Sequence, residues 1–163
     1  MIGLRLLRAG HEDADELAAV SKRAFDGDVN YGAPGDGGPP GYDSPEWQAK
    51  VMGWRGATYF KVVLDGRIIG GALCFDQGQG NVYLGRVYLD PSMQNRGLGR
   101  QVMALVMAEY PSARVWALET PEWNQRTQHF YERVGYTKVR TDADGCHYQS
   151  RVDADTASPS DRG

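Results

Sequence analysis

The stretch DPSMQNRGLGRQVMALVMAEY, residues Asp90–Tyr110, runs from a proline turn through two glycines into an apolar, helix-forming segment. A helix begins with about four backbone N–H groups that lack partners within the helix, and its dipole makes that end partly positive. Because Gly97 and Gly99 carry no side chains, an anion can come close to these N–H groups. The stretch therefore predicts a binding loop for a phosphate group.

The spacing of the glycines excludes two common phosphate-binding motifs. A dinucleotide-binding fingerprint needs a third glycine three residues after Gly99, where Val102 stands. A P-loop needs Lys and then Ser or Thr after its last glycine, and Arg100 and Gln101 occupy those positions. The remaining alternative is that Gly97 and Gly99 only shape the start of a helix.

Length and charge limit the class of protein. The chain has 163 residues, of which 41% are hydrophobic, and this predicts one domain with a real core. Its 18 basic and 21 acidic residues give a net charge of −3, which provides no general attraction to nucleic acid or to an anionic membrane. No stretch approaches the ~20 apolar residues of a membrane span, and the start lacks the pattern of a signal peptide. We therefore expect a cytoplasmic protein.

The sequence around the two cysteines and two of the histidines does not indicate a metal site or a catalytic role. Cys74 and Cys146 lack the paired Cys or His spacing of a zinc site, so we expect free thiols and no metal. His11 and His129 have no visible partner and are interpreted as surface or packing residues.

Periodicity and turn residues predict the elements on both sides of the glycine stretch. Before it we predict a strand at 3–9, a helix at 11–25, a loop rich in Gly, Pro and Asp at 26–54 with a short helix near 45–54, and an antiparallel meander of three strands at 57–89. After it we predict a strand at 113–120 parallel to the third strand of the meander, a helix at 124–135 capped by Gly135, a hairpin at 136–152, and a disordered tail at 153–163.

This order of elements and two motifs resemble the GNAT superfamily of acetyl-CoA-dependent N-acetyltransferases. The first motif is the family's Q/R-x-x-G-x-G/A loop, matched by Gln94, Gly97 and Gly99. The second is the family's signature of Asn, then Phe-Tyr, then Gly-aromatic, matched in WNQRTQHFYERVGY by Asn124, Phe130, Tyr131, Gly135 and Tyr136. The motifs lie between Arg86 and Tyr136, and the order of elements extends the resemblance over residues 2–152.

The resemblance implies an α/β (α+β) fold. It implies a single GNAT-like domain at residues 1–152, with a mixed central sheet of about six to seven strands flanked by helices. In the family the fourth and fifth strands splay apart, and the pantetheine arm of the co-substrate lies between them. Residues 153–163 fall outside this domain.

The resemblance also implies the binding residues for acetyl-CoA, the co-substrate. The pyrophosphate is expected on the loop residues Gln94, Asn95, Arg96, Gly97, Leu98, Gly99 and Arg100. The backbone of Val87, Tyr88 and Leu89 is expected to pair with the pantetheine arm as an added strand would. Asn124 and Tyr131 are expected on the pantetheine side, although Asn124 alone can also act as a helix N-cap.

The resemblance assigns Tyr131 as the general acid that protonates the departing thiolate, and a core aromatic is the alternative. A backbone N–H near Leu89 is expected to bind the oxyanion. Many family members place the general base on the fourth strand, but NVYLGRVYL contains no carboxylate. Glu119 is therefore predicted as the base, acting through water, with Glu122 and His147 behind it.

The expected reaction is acetyl transfer to a primary amine of a small molecule or peptide. The loop at 26–54 combines acids with aromatic residues, which suits an acceptor carrying a second positive charge; these residues are Asp26, Asp28, Asp36, Asp43, Glu46, Tyr31, Tyr42 and Trp47. An acetyl-CoA sensor without turnover, a hydroxyl acceptor and a longer acyl-CoA remain alternatives. A homodimer is an open expectation, and no nucleic-acid or membrane partner is expected.

Overall fold

The computed structural model describes residues 3–152, so the tail predicted at 153–163 lies outside the described residues. The strands are β1 (Leu4–Arg8), β2 (Ala57–Leu64), β3 (Arg67–Gly78), β4 (Asn81–Leu89), β5 (Val115–Thr120), β6 (Thr137–Asp142) and β7 (Gly145–Arg151). The helices are α1 (Ala14–Asp26), α2 (Pro45–Val51), α3 (Leu98–Ala108) and α4 (Gln125–Arg133). This order matches the elements predicted from the sequence.

The strands form one mixed sheet in the order β1-β2-β3-β4-β5-β7-β6. Strands β1 to β4 are an antiparallel meander, β4 and β5 are parallel, and β5, β7 and β6 are antiparallel. The parallel pair needs a crossover, which α3 supplies. The predicted mixed sheet is therefore confirmed, with seven strands.

The two faces of the sheet carry separate cores. On β2, Tyr59 and Phe60 point to opposite faces because side chains alternate along a strand. Tyr59 packs in a cluster with Leu17 of α1 and Val51 of α2. Phe60 packs in the larger cluster with Val102 of α3. The helices therefore cover the sheet on both sides, which confirms the predicted sheet flanked by helices.

Strands β4 and β5 pair only at their beginnings. The pairing extends from Asn81↔Val115 to Tyr83↔Ala117 and then stops, so the later parts of both strands separate. This confirms the predicted splay. The rest of β4 keeps its pairing with β3 on the other side, which holds the open edge in place.

A bulge in β4 begins where the pairing with β5 ends. Leu73 of β3 pairs with Arg86 and the next residue, Cys74, pairs with Leu84, which makes Gly85 the extra residue. A Cβ at Gly85 would lie 2.7 Å from the Phe75 ring, so the close approach requires glycine. The bulge reverses the alternation, and Tyr88 therefore joins the core on the α1 side.

The loop predicted at 26–54 is shorter in the structure. A 3₁₀ turn at Gly27–Tyr31 follows α1 directly, and α2 occupies Pro45–Val51 rather than continuing to Trp54. Ser44 caps α2, because its side chain accepts a hydrogen bond from the Trp47 N–H at 3.1 Å. The irregular segment at 32–44 is called the long loop below.

Cys74 and Cys146 are buried free thiols, as predicted. Burial raises the pKa of Cys74 to about 12, so this thiol stays protonated at neutral pH. Across residues 3–152, no helix has the length and apolar character that a membrane span requires.

Candidate active site

The glycine stretch forms a turn with unpaired donors at the end of β4. Asn95 and Gly97 both have left-handed backbones, with φ of 62° and 77°. The N–H groups of Asn95, Arg96 and Gly97 donate to no other residue within 3–152, and the first N–H groups of α3 have no acceptors within the helix. The loop therefore presents consecutive free donors at a helix start, which fits a phosphate group.

The two glycines of the loop have different roles. Among residues 3–152, no atom lies within 4 Å of the Cβ position of Gly97. Glycine is therefore needed there for the left-handed backbone and for the open approach to the N–H groups. A Cβ at Gly99 would lie 3.2 Å from the Phe130 ring on α4. Gly99 therefore permits close packing of α3 against α4.

The loop borders a cavity of about 400 Å³, called here the glycine-loop cavity. Its wall combines the glycine loop, the open edge of β4 and one side of α4; the residues predicted from the sequence that line it are Val87, Tyr88, Leu89, Gln94, Asn95, Gly97, Gly99, Arg100 and Tyr131. Arg96 is exposed and Leu98 is buried in the core, and neither side chain lines the cavity. The backbone N–H of Leu98 still belongs to the helix start.

A second cavity of about 550 Å³ lies under the long loop and is called the long-loop cavity. Its wall includes residues 33–39 of the loop, residues 83–89 of β4 and residues 119–121 at the end of β5. The two cavities share residues 87–89, Gln94 and residues of α4. They therefore meet where β4 and β5 separate.

Tyr131 lies at this meeting point and lines both cavities. Its ring packs against Phe130, Tyr136 and Tyr148, with centroids 5.3, 5.8 and 6.3 Å away. Burial raises the pKa of Tyr131, while the nearby Arg126 guanidinium acts in the opposite direction. The phenol is therefore protonated at neutral pH and is available as a hydrogen-bond donor.

Arg126 also lines both cavities, and it was not predicted from the sequence. Its guanidinium contacts Asp28 and Gln94, each at 3.2 Å, and lies 3.9 Å from the centroid of the Tyr31 ring. It therefore connects α4 with the glycine loop and with the turn after α1. Its position two residues after Asn124, inside the second motif, was the one available signal.

Glu119 lines the long-loop cavity, two residues beyond the last β4–β5 pair. Its side chain is 40% exposed, and its Oε2 lies 3.4 Å from Nδ1 of His147. Burial and the Glu119 carboxylate together raise the pKa of Tyr83, a neighbour in the cavity wall, to about 12. The structure thus brings Glu119 and His147 together, whereas Glu122 is exposed and does not line the cavity.

Asn124 acts as the N-cap of α4. Its Oδ1 accepts a hydrogen bond from the Thr127 N–H at 3.1 Å, and the residue is 3% exposed. It lines the long-loop cavity rather than the glycine-loop cavity. The cap is therefore observed, and contact with a ligand stays a prediction.

The acids of the predicted loop do not act as one group. Asp28 and Asp36 line the long-loop cavity. Asp26 instead accepts hydrogen bonds from Lys22 and Tyr42. Asp43 and Glu46 are exposed and lie outside the cavity wall. Only Asp36 combines a place in the cavity with an unpaired carboxylate among these acids in the described residues, since Asp28 pairs with Arg126.

A buried network of hydrogen bonds links β4 to the long loop. The Tyr59 hydroxyl lies 2.6 Å from the Tyr88 hydroxyl and donates to Gln48 Oε1 at 2.5 Å. The Gln48 amide in turn donates to the carbonyls of Gly41 and Tyr42 at 3.0 and 3.3 Å. The network therefore joins the end of the long loop to the open edge strand.

Arg86 makes a second connection between β4 and the loop. Its guanidinium lies 3.9 Å from the centroid of the Trp47 ring, and Nη2 donates to the Pro40 carbonyl. Burial lowers the pKa of Arg86. Nη1 is buried and has no hydrogen-bond partner within residues 3–152.

Comparisons with known proteins agree with this geometry. Residues 31–136 match the model of the acetyltransferase (GNAT) family. An uncharacterised N-acetyltransferase of Mycobacterium bovis is 31% identical over 151 residues, which cover 85% of this chain and 93% of the relative.

Two solved structures share the fold. The PaiA N-acetyltransferase of Thermoplasma acidophilum in complex with coenzyme A has a TM-score of 0.74 and 15% identity, over 92% of this chain and 99% of the other. An aminoglycoside acetyltransferase in complex with coenzyme A and kanamycin has a TM-score of 0.71 and 16% identity, over 99% and 100%. With the family match over more than half of its length, the chain belongs to the GNAT family of acetyltransferases.

Proposed function

We propose that the protein transfers the acetyl group of acetyl-CoA to a primary amine of a small molecule or peptide, by direct attack of the amine on the thioester. The observation that carries the proposal is the meeting of two cavities at Tyr131, between the separated strands β4 and β5. One cavity has the donors that a pyrophosphate needs, and the other has carboxylates and aromatic residues. Two substrates can thus approach one point from opposite sides.

The glycine-loop cavity takes the co-substrate. The free N–H groups at 95–97 and the start of α3 bind the pyrophosphate, and Arg100 adds positive charge in the cavity wall. The unpaired edge of β4 at 87–89 binds the pantetheine arm through its backbone. A side-chain bond from Gln94 Nε2 to the Leu89 carbonyl, at 2.9 Å, holds these two parts together.

Tyr131 acts as the general acid in this scheme. The neutral amine attacks the thioester carbonyl, a tetrahedral oxyanion forms, and its collapse expels the thiolate. A backbone N–H near Leu89 stabilises the oxyanion, and the Tyr131 hydroxyl protonates the thiolate. Because burial raises the pKa of Tyr131, the phenol is protonated at neutral pH and its hydroxyl is present as a donor when the thiolate forms.

Glu119 acts as the general base. β4 carries no carboxylate, and the carboxylate of β5, on the other side of the split, is Glu119. Its place in the wall of the long-loop cavity supports uptake of the amine proton through a water molecule.

An amine acceptor is supported by two lines of reasoning. The relative from Mycobacterium bovis bears the name of an N-acetyltransferase, and the fold neighbour bound to kanamycin is an aminoglycoside acetyltransferase. The long-loop cavity offers Asp36 for a second ammonium group. A homodimer and a cytoplasmic location stay predictions.

Thiol release from acetyl-CoA tests the proposal, with a panel of amino acids, polyamines, aminoglycosides and peptides with free N-termini. We expect release to depend on an amine and on the acetyl group, and mass spectrometry to show an N-acetylated product. Binding of acetyl-CoA without release for any acceptor would indicate a sensor and overturn the proposal. Faster release with a hydroxyl acceptor or a longer acyl-CoA would also contradict it.

A further inference from the structure

A histidine lies between two carboxylates at the edge of the long-loop cavity. His147 of β7 is the direct cross-strand partner of Glu119 on β5. Its Nδ1 lies 3.4 Å from Glu119 Oε2, and its Nε2 lies 2.8 Å from Oδ1 of Asp142 at the end of β6. The imidazole is 14% exposed, whereas both carboxylates are 40% exposed. The imidazole thus connects Glu119 in the cavity wall with Asp142 outside that wall.

The hydrogen bonds of Asp142 determine which nitrogen of His147 carries the proton. Hydrogen bonds from His147, from the Asp144 N–H and from Arg140 lower the pKa of Asp142 to about 2. Asp142 is therefore ionised at neutral pH and can only accept hydrogen bonds. In the neutral imidazole the proton must then sit on Nε2, which leaves the lone pair of Nδ1 facing Glu119.

The charged groups around His147 belong to three elements. Glu119 faces it from β5, and Asp142 and Arg140 face it from β6, where Arg140 is the register partner of His147. Asp144, in the turn between β6 and β7, lines the long-loop cavity. Arg140 is 62% exposed and binds Asp142 at 3.2 Å, so solvent screens its charge. Carboxylates on both neighbouring strands thus lie closest to the imidazole.

We propose that Glu119, His147 and Asp142 form a relay that carries the proton of the acceptor amine out of the active site. The N–H bond of the substrate breaks as an O–H bond forms on Glu119, by way of the intervening water. That O–H bond then breaks as an N–H bond forms on Nδ1 of His147. The N–H bond at Nδ1 then breaks as the proton passes to solvent water, which restores the tautomer with its proton on Nε2, and Asp142 stays ionised throughout. The relay rests on the proposed function, because the proton comes from an amine.

The relay compensates for the weakness of a carboxylate as a base. A free carboxylate has a pKa of ~4.3 and a free alkylammonium one of ~10, so a single carboxylate holds the amine proton poorly near pH 7. A free imidazole, at ~6.5, is closer to the working pH. His147 is a positioning residue for Glu119 and the second acceptor of the proton, and Asp142 fixes its tautomer.

The test compares kcat/KM against pH for wild type and variants, with one amine that the wild type acetylates. In His147→Gln the amide can still donate to Asp142 but cannot take a proton. We expect kcat/KM at pH 7 to fall at least tenfold and the KM for acetyl-CoA to stay unchanged. The acid limb of the profile should move to lower pH, because the amide that replaces the imidazole does not titrate. Asp142→Asn should also lower kcat/KM.

Arg140→Gln is the matched control, because it removes another partner of Asp142 without touching the imidazole. We expect its profile to match that of the wild type. A His147→Gln profile that also matches the wild type would overturn the relay and leave the proposed function standing. An inactive wild type with every amine would overturn both. If His147→Gln does not fold, an Asp142→Asn profile equal to that of Arg140→Gln would overturn the relay.

Discussion

Arg126 and Asp28 form an ion pair, with 3.2 Å between Nη2 and Oδ1, that joins residues 98 positions apart in the chain. Both side chains are largely buried, at 29% and 15% exposure. Because Arg126 also contacts Gln94, the pair connects the turn after α1 with the loop that borders the glycine-loop cavity. One side chain, Arg126, thus contacts residues in the walls of both cavities.

The first prediction concerns the stability that this pair provides. Arg126→Met leaves a buried Asp28 without its counter-charge, so the free energy of unfolding at pH 7 should fall by about 2–3 kcal/mol. Burial already raises the pKa of Asp28 and Arg126 opposes that rise, so the pKa rises further in the variant. For a native pKa above the unfolded value of ~3.9, stability decreases as the pH rises through that interval. The loss should therefore be smaller at pH 4 than at pH 7.

Urea denaturation at both pH values measures this difference. The control is Arg23→Met, which breaks a more exposed pair between Arg23 and Asp90 at 2.8 Å. An exposed pair contributes at most about 1 kcal/mol. Equal decreases in the free energy of unfolding of the two variants at pH 7 would show that Asp28 is solvated. The pair would then stabilise the protein no more than an exposed pair does.

The second prediction separates backbone strain from ligand approach at the glycine loop. Gly97→Val places a branched side chain in a left-handed conformation and beside the free N–H groups. We expect the dissociation constant for acetyl-CoA to rise more than tenfold, which is at least about 1.4 kcal/mol. Gly66→Val is the control, since Gly66 has a φ of 84° and open space but lies in the β2–β3 turn. Calorimetry that finds equal affinity in both folded variants would place the pyrophosphate elsewhere.

The third prediction concerns the hydroxyl of Tyr131. Tyr131→Phe keeps the ring packing and removes the proton donor, so kcat should fall by ~10² or more while affinity for acetyl-CoA changes little. Tyr136→Phe makes the same chemical change on the adjacent ring, 5.8 Å away, where the buried hydroxyl has no hydrogen-bond partner in the part of the chain that the structure describes. The control should keep kcat and be as stable as the wild type or more so. If Tyr131→Phe keeps the kcat of the wild type, the hydroxyl is not the general acid and Tyr131 is only a packing residue of the core.

The order of helices and strands could be predicted from the sequence, because it depends on local patterns such as hydrophobic periodicity and turn residues. The glycines at 97 and 99 mark the start of α3, and the elements around them have clear periodicity. The splay of β4 and β5 came from the family resemblance and is seen in the pairing that stops at Tyr83. The extent of α2 was overestimated, because boundaries depend on packing that local propensity does not report.

Features that depend on contacts between distant residues were not predictable. The only sequence signal for the bulge at Gly85 was a glycine inside NVYLGRVYL, and the need for glycine there comes from the Phe75 ring on the neighbouring strand. The role of Arg126 depends on Asp28 and Gln94, which no spacing rule relates to it. The same limitation explains why the acids of the predicted loop at 26–54 were grouped by sequence although the fold separates them.

The last prediction concerns the charge of the acceptor. Asp28 is held by Arg126, so Asp36 is the acid of the predicted loop best placed to bind a second ammonium group in the long-loop cavity. With a diamine acceptor, Asp36→Asn should raise the acceptor KM about threefold to fivefold, up to ~1 kcal/mol, and leave the KM for acetyl-CoA unchanged. Salt should shrink this difference, because screening weakens an exposed charge pair. Asp43→Asn is the control, since Asp43 is exposed outside the cavity wall. An acceptor KM that responds equally to both substitutions, or to neither, would contradict a cationic acceptor bound at Asp36.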